Sequence, residues 1–198
     1  MQPGATLIFL DTSVIYPRTL RDWFCLLSLN SGIEGIDLRW SEDVLAEFIY
    51  NRRRQEPGAS DAQIGQWRQR LTDSFPNAIV SNYSIDPMFL AGEDKFDAHV
   101  LAAAIHGRVD YLVTSNISDF EGFADSVEFE ILTPDDMLCL IEQRRPDAVS
   151  TATKKQCNYW SKREGSKTLH DALVDSGAPN FAQGIRKRLS QWALSGRY

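Results

Sequence analysis

The sequence predicts an α/β protein, a parallel sheet of about five strands flanked by helices, with a helical C-terminal extension. Three observations carry that expectation. Short apolar runs alternate along the chain with stretches whose apolar residues fall at helical spacing, the pattern of a parallel sheet. The first run, Leu7-Ile8-Phe9-Leu10, contains no polar residue, as expected of a strand covered on both faces. Near Arg145-Pro146 the composition turns basic, so residues 1–145 read as one α/β unit and residues 146–198 as a basic helical extension.

The elements follow in order. After Asp11 and the pause at Tyr16-Pro17, Leu20, Trp23, Phe24 and Leu27 mark a helix that Gly32 ends. Ile36 to Trp40 alternates apolar with polar residues and reads as a more peripheral strand. Ser41, Glu42 and Asp43 suit the start of a helix with the stripe Val44, Leu45, Phe48 and Ile49, closed by the cations Arg52, Arg53 and Arg54. Pro57-Gly58 breaks the chain, and Ser60 to Ser74 reads as an exposed helix with the narrow seam Ile64, Trp67 and Leu71. Ala78 to Val80 is a third strand, 86–95 an irregular acidic segment, and Asp97 to Ile105 a helix ended by Gly107. Tyr111 to Thr114 and Phe129 to Leu132 are strands four and five, and Thr133-Pro134-Asp135-Asp136 opens a helix over Met137 to Gln143. In the extension, Leu169, Leu173, Phe181, Ile185, Leu189 and Trp192 mark two or three short helices, too poor in apolar residues to fold alone and expected to dock on the rest.

Charge is divided unevenly. Of a net −6, the segment from Asp147 carries nine cations against four anions, or +5, which leaves −11 for the first 146 residues. Nucleic-acid binding would therefore need a local basic patch, for which Lys154, Lys155, Arg186, Lys187 and Arg188 are candidates. Cys25, Cys139 and Cys157 lack metal-ligand spacing and fit a reducing, cytoplasmic setting. No apolar run approaches membrane-spanning length. A P-loop, a dinucleotide fingerprint and a recognisable serine triad are all missing from the sequence.

The acids carry the chemistry. Asp11 ends the first strand, where it reads either as the cap of a following helix or as a ligand group at the edge where open α/β sheets place their ligands, and Thr12 and Ser13 add hydroxyls that can cap that helix or bind the same ligand. Asp97 shares the helical face of Val100, Leu101 and Ala104, so it lies on the buried stripe, where a charge needs a cap, a partner or a cation. Asp94 stands one turn earlier, and Asn116 and Asp119 follow the fourth strand as Asp11 follows the first. Glu47, at the edge of its helix's stripe, reads by spacing alone as a solvated residue, and His99 as a surface or interface residue. Carboxylates gathered at one end of a sheet repel one another unless a cation joins them. Hard oxygen ligands favour Mg²⁺ or Mn²⁺ over zinc and suit phosphodiester hydrolysis.

Asp11-Thr12-Ser13-Val14, Trp40 through Glu47, Asp97 through Ala104 and Val113 through Phe120 together resemble the PIN domain. With Tyr16-Pro17 and Leu20-Arg21-Asp22 they are similar to the VapC-like toxins of bacterial toxin–antitoxin pairs, over about residues 5 to 143. The resemblance implies a PIN-like sheet and a metal-dependent endoribonuclease with Asp11, Glu47 and Asp97 at acidic metal-site positions. Many relatives carry Asp where this chain has Asn116, and Asp119 lies three residues later, so either residue is a candidate for the fourth position. By the same resemblance Thr12, Ser13 and Thr114 orient the acids or the attacking water, with Asp94 and Asn116 in support. It further implies RNA as substrate, a cognate antitoxin at the site or in a groove beside it, and a homodimer. Arg52, Arg53 and Arg54 would touch RNA or that partner, or simply close their helix. A PIN nuclease of RNA processing and a non-catalytic RNA-binding module are the alternatives.

Overall fold

The computed structural model describes residues 4–32, 34–90, 97–162 and 167–196. Its five strands are β1 (Thr6–Leu10), β2 (Ile36–Ser41), β3 (Ile79–Val80), β4 (Tyr111–Val113) and β5 (Glu130–Leu132). They form one parallel sheet in the order β3-β2-β1-β4-β5, with Ile8 opposite Leu38 on one side and Tyr111 on the other. The fold class is the α/β architecture read from the sequence. The chain lays strands outward from β1 in one direction, then returns to lay β4 and β5 on the other side. That reversal puts a crevice beyond the carboxyl ends of β1 and β4.

Helices α1 (Thr12–Ile15), α2 (Arg18–Asn30), α3 (Glu42–Gln55), α4 (Asp61–Ser74), α5 (Ala98–His106) and α6 (Pro134–Arg144) connect and cover the strands. α2, α3 and α5 pack around β2, and α4 lies against α3. The single turn α1 shows no period, because four residues are too few, but the reading of Asp11 as a helix cap holds there. The turn exists because the Asp11 carboxylate accepts from the Thr12 and Ser13 amides, which an isolated turn would leave unpaired. Ser41 caps α3 through the Val44 amide, and Ser60 and Gln63 form a reciprocal capping box on α4. Gly32 leaves α2 with φ of +81°, a left-handed conformation that favours glycine.

The extension forms α7 (Pro146–Trp160), α8 (Leu169–Asp175) and α9 (Pro179–Ser195). α7 and α9 are longer than the short helices expected, because α7 buries small residues, Ala148 and Ala152, whose spacing gives little hydropathy signal. α6 ends and α7 begins at Arg145 with no linker. These helices share the main core: Phe181 of α9 meets Trp23 of α2 edge-on, centroids 4.9 Å apart, and both side chains are fully buried. Asp135 of α6 fastens α9 by accepting from the Asn180 and Phe181 amides (3.1 and 2.9 Å) and from Asn180 Nδ2 (2.9 Å). Arg188 joins the same junction, donating to Glu142 (2.9 Å) and Ser150 Oγ (2.6 Å). No helix among the described residues is long and apolar enough to cross a membrane.

Candidate functional site

In a parallel sheet with helical crossovers, strand ends and the following helix starts lie along one edge. Asp11 stands on that edge at the end of β1, with its amide bonded to the Val113 carbonyl of β4 (3.0 Å), so it sits where the strand order reverses. It is 7% exposed. Its Oδ1 accepts from the Thr12 amide (2.6 Å). Its Oδ2 accepts from the Ser13 amide (3.3 Å), the Ser13 hydroxyl (2.6 Å) and the Thr114 hydroxyl (2.9 Å). The donors are thus crowded on Oδ2, and Oδ1 keeps spare acceptor capacity.

The β4 side closes the network. The Ser115 amide donates to Ser13 Oγ (2.9 Å) and the Asn116 amide to Thr114 Oγ1 (3.1 Å), leaving each hydroxyl proton for Asp11. Thr12, whose amide serves Asp11, also reaches a second carboxylate: its Oγ1 donates to Glu47 Oε2 at 2.6 Å. The other oxygen of Glu47 is 4.0 Å from His99 Nε2 of α5. Neither Asp11 nor Glu47 has a lysine or arginine partner among the described residues. Two carboxylates held by one residue, Asp11 through the Thr12 amide and Glu47 through the Thr12 hydroxyl, form an all-oxygen donor set in which Asp11 is buried. Its chemistry fits Mg²⁺ or Mn²⁺ better than zinc. Among the described residues, however, no three His, Cys, Asp or Glu side chains are gathered into a metal-binding group.

The other sequence candidates divide. Asp97 is the N-cap residue of α5, half-buried, and makes no side-chain capping bond, so capping does not account for its acid. Asp94 lies outside the described residues. Asp119 closes a 3₁₀ turn (Ile117–Asp119); its carboxylate accepts from the Ser118 hydroxyl (3.2 Å), and the Asn116 side chain is exposed. The His99 expectation is corrected. Its side chain is only 13% exposed and faces Glu47, because α5 is covered on more than the Val100 face.

The basic candidates are largely engaged. Arg188 is corrected from a surface contact to an internal ion pair, its side chain 17% exposed. Lys155 donates to Asn30 Oδ1 (2.7 Å), and Lys154 lies over the Trp192 ring. Arg53 pairs with Asp61 (2.8 Å), and Arg54 lies over Tyr50. Arg186 and Lys187 are exposed. Arg52 pairs with Glu56 and stacks on Trp67, 4.3 Å from its centroid. That stack opens onto a feature with no signal in the sequence, a groove of about 320 Å³ between α2, α3 and α4. Its arginines Arg18, Arg21 and Arg70 are scattered along the sequence, and only the packing of α4 beside α2 and α3 brings them together.

Comparison of the chain with protein-family models, curated proteins and solved structures finds no match. The fold therefore defines the class, a doubly wound α/β protein with a carboxylate–hydroxyl site at its switch point, and no relative narrows it further.

Proposed function

We propose that the chain is a PIN-type, Mg²⁺- or Mn²⁺-dependent endoribonuclease, acting in the cytoplasm as the toxin of a toxin–antitoxin pair. The observation that carries the chemistry is the buried Asp11 carboxylate, without a cationic partner among the described residues and sharing Thr12 with Glu47 at the sheet's switch point, Asp11 taking the amide and Glu47 the hydroxyl. The toxin role, the antitoxin and a homodimer rest on the four sequence motifs alone.

Asp11 and Glu47 would hold the cation, with Asp97 on the same edge and Asp119 or Asn116 completing the set. When bound, such a cation makes a water more acidic and neutralises charge developing on the phosphoryl group. The chain's own residues supply order. Ser13 and Thr114 fix the plane of Asp11 by loading Oδ2, which leaves Oδ1, with the Thr12 amide as its one donor, the oxygen with spare capacity for a ligand. Thr12 holds Glu47 through its hydroxyl while its amide holds Asp11, so removing the hydroxyl would release Glu47 alone.

Sequencing RNA 5′ ends after controlled expression of the chain tests this reading. Discrete new ends that vanish in an Asp11→Asn variant support it, and identical end profiles for the two sink it. One observation favours a second reading, a non-catalytic RNA-binding module: Asn116 supplies no charge, and no three-acid group is formed among the described residues. Manganese titration of the purified protein separates the two, since the module reading expects no saturable binding.

A further inference from the structure

The groove between α2, α3 and α4 has arginines on its walls and an apolar floor. Arg18 and Arg21 come from α2, Arg52 from α3 and Arg70 from α4. Two carboxylates offset part of this charge. Asp22 is shared by Arg18 (3.4 Å) and Arg21 (4.0 Å), and Glu56 pairs with Arg52 at the rim. Arg70 is exposed and has no acidic partner among the described residues. The groove is therefore net positive on a protein whose total charge is −6.

The groove also adjoins the carboxylates. Phe48, on its floor, follows Glu47 directly in α3, and Arg52 lies five residues on, about 7.5 Å along the helix axis. Arg21 donates to the carbonyls of Ile15 (2.8 Å) and Tyr16 (3.4 Å), gripping the far end of the turn that Asp11 caps. Five residues of α3, about 1.4 turns, thus separate Glu47 from Arg52. The faces of Phe48 and Trp67 are covered by Arg21 and Arg52, so a ligand reaching from the acids into the groove meets guanidinium groups and must be anionic at intervals. Guanidinium groups recognise phosphate oxygens through paired donors.

We propose that this groove is a docking subsite for the phosphodiester backbone of single-stranded RNA, next to the scissile position. The inference rests on the ribonuclease reading of the carboxylates. It moves the main cationic contact from the C-terminal extension to the body of the protein, where α4 completes the wall.

The test uses the full chain with a fluorescein-labelled single-stranded RNA, followed by anisotropy in EDTA across a series of KCl concentrations. Arg70→Glu and Arg18→Glu are the variants, Arg70→Lys is the charge-conserving control, and thermal midpoints establish that each is folded. Each Glu variant is expected to weaken binding about tenfold and to flatten the log–log salt slope by about 0.7 for each phosphate that is no longer neutralised. Arg70→Lys should keep the wild-type slope. Wild-type affinity and slope in both Glu variants, in a protein that still cleaves RNA with Mn²⁺, would overturn the subsite and leave the nuclease reading standing. Absence of both RNA binding and cleavage in the wild type would bring down both. If a glutamate-rich peptide binds the groove in an Arg70-dependent way without displacing RNA, the groove is a protein-docking surface and the inference fails.

Discussion

Asp11 and Asp135 share a residue type and the same 7% exposure, and neither has a lysine or arginine partner among the described residues. They differ in what surrounds them. Asp135 faces the start of the 17-residue α9, whose unpaired amides and positive dipole end receive the charge from another helix. Asp11 caps only its own four-residue turn, takes two of its bonds from hydroxyls, and shares Thr12 with Glu47. The first carboxylate is neutralised within the fold. The second adds its charge to that of a neighbour. Burial alone would not distinguish a fastening from a site; the company each acid keeps does.

The sharpest break of this comparison is Asp11→Asn. It should lower Mn²⁺-dependent RNA cleavage at least about 100-fold in single-turnover assays, while the thermal midpoint holds or rises because a repulsion is relieved. Asp135→Ala should do the reverse. It strips the α9 amides of their acceptor and should cost about 3 kcal/mol in urea denaturation, with cleavage per folded molecule retained. A loss below about 1 kcal/mol would show that apolar packing alone seats the extension.

Thr12→Val keeps the shape and removes the link between Asp11 and Glu47. It should weaken Mn²⁺ affinity about tenfold, read by calorimetry, and an unchanged affinity would detach Glu47 from the metal set. Asp119→Ala should weaken Mn²⁺ binding more than Asn116→Ala does; the opposite order would assign the fourth position to Asn116. The smallest effect is expected in the extension. Deleting it would strip Phe181 from Trp23, so charge reversal at the exposed Arg186 and Lys187 is the better probe. Those reversals should change RNA affinity less than Arg70→Glu does, measured by the same anisotropy titration.

Much of the sheet was legible because Leu7 to Leu10 of β1 is uniformly apolar and β2 alternates, and because Ser41, Ser60 and Thr133 each announce a helix they cap. Asp11 was legible as a strand-end acid. Its neighbours were not: spacing treated Glu47 as solvated and His99 as a surface residue, since a helical period reports one buried face and both sit beside it. Asp135 read only as a first-turn acid of α6, and its service to α9 depends on a contact 45 positions away. Of the arginine groove only Arg52 was marked in the sequence, because its walls come from three helices whose own periodicities are ordinary.

The separation between Asp11 and its partner Thr114 is 103 positions. On a ribosome adding roughly 5–20 residues per second, that is about 5 to 20 s during which β1 has emerged without the strand that completes its polar network. Trp23 waits longer, until Phe181 clears the exit tunnel. Until those partners emerge, a nascent chain carries Asp11 without the Thr114 hydroxyl and Trp23 without its edge-on ring.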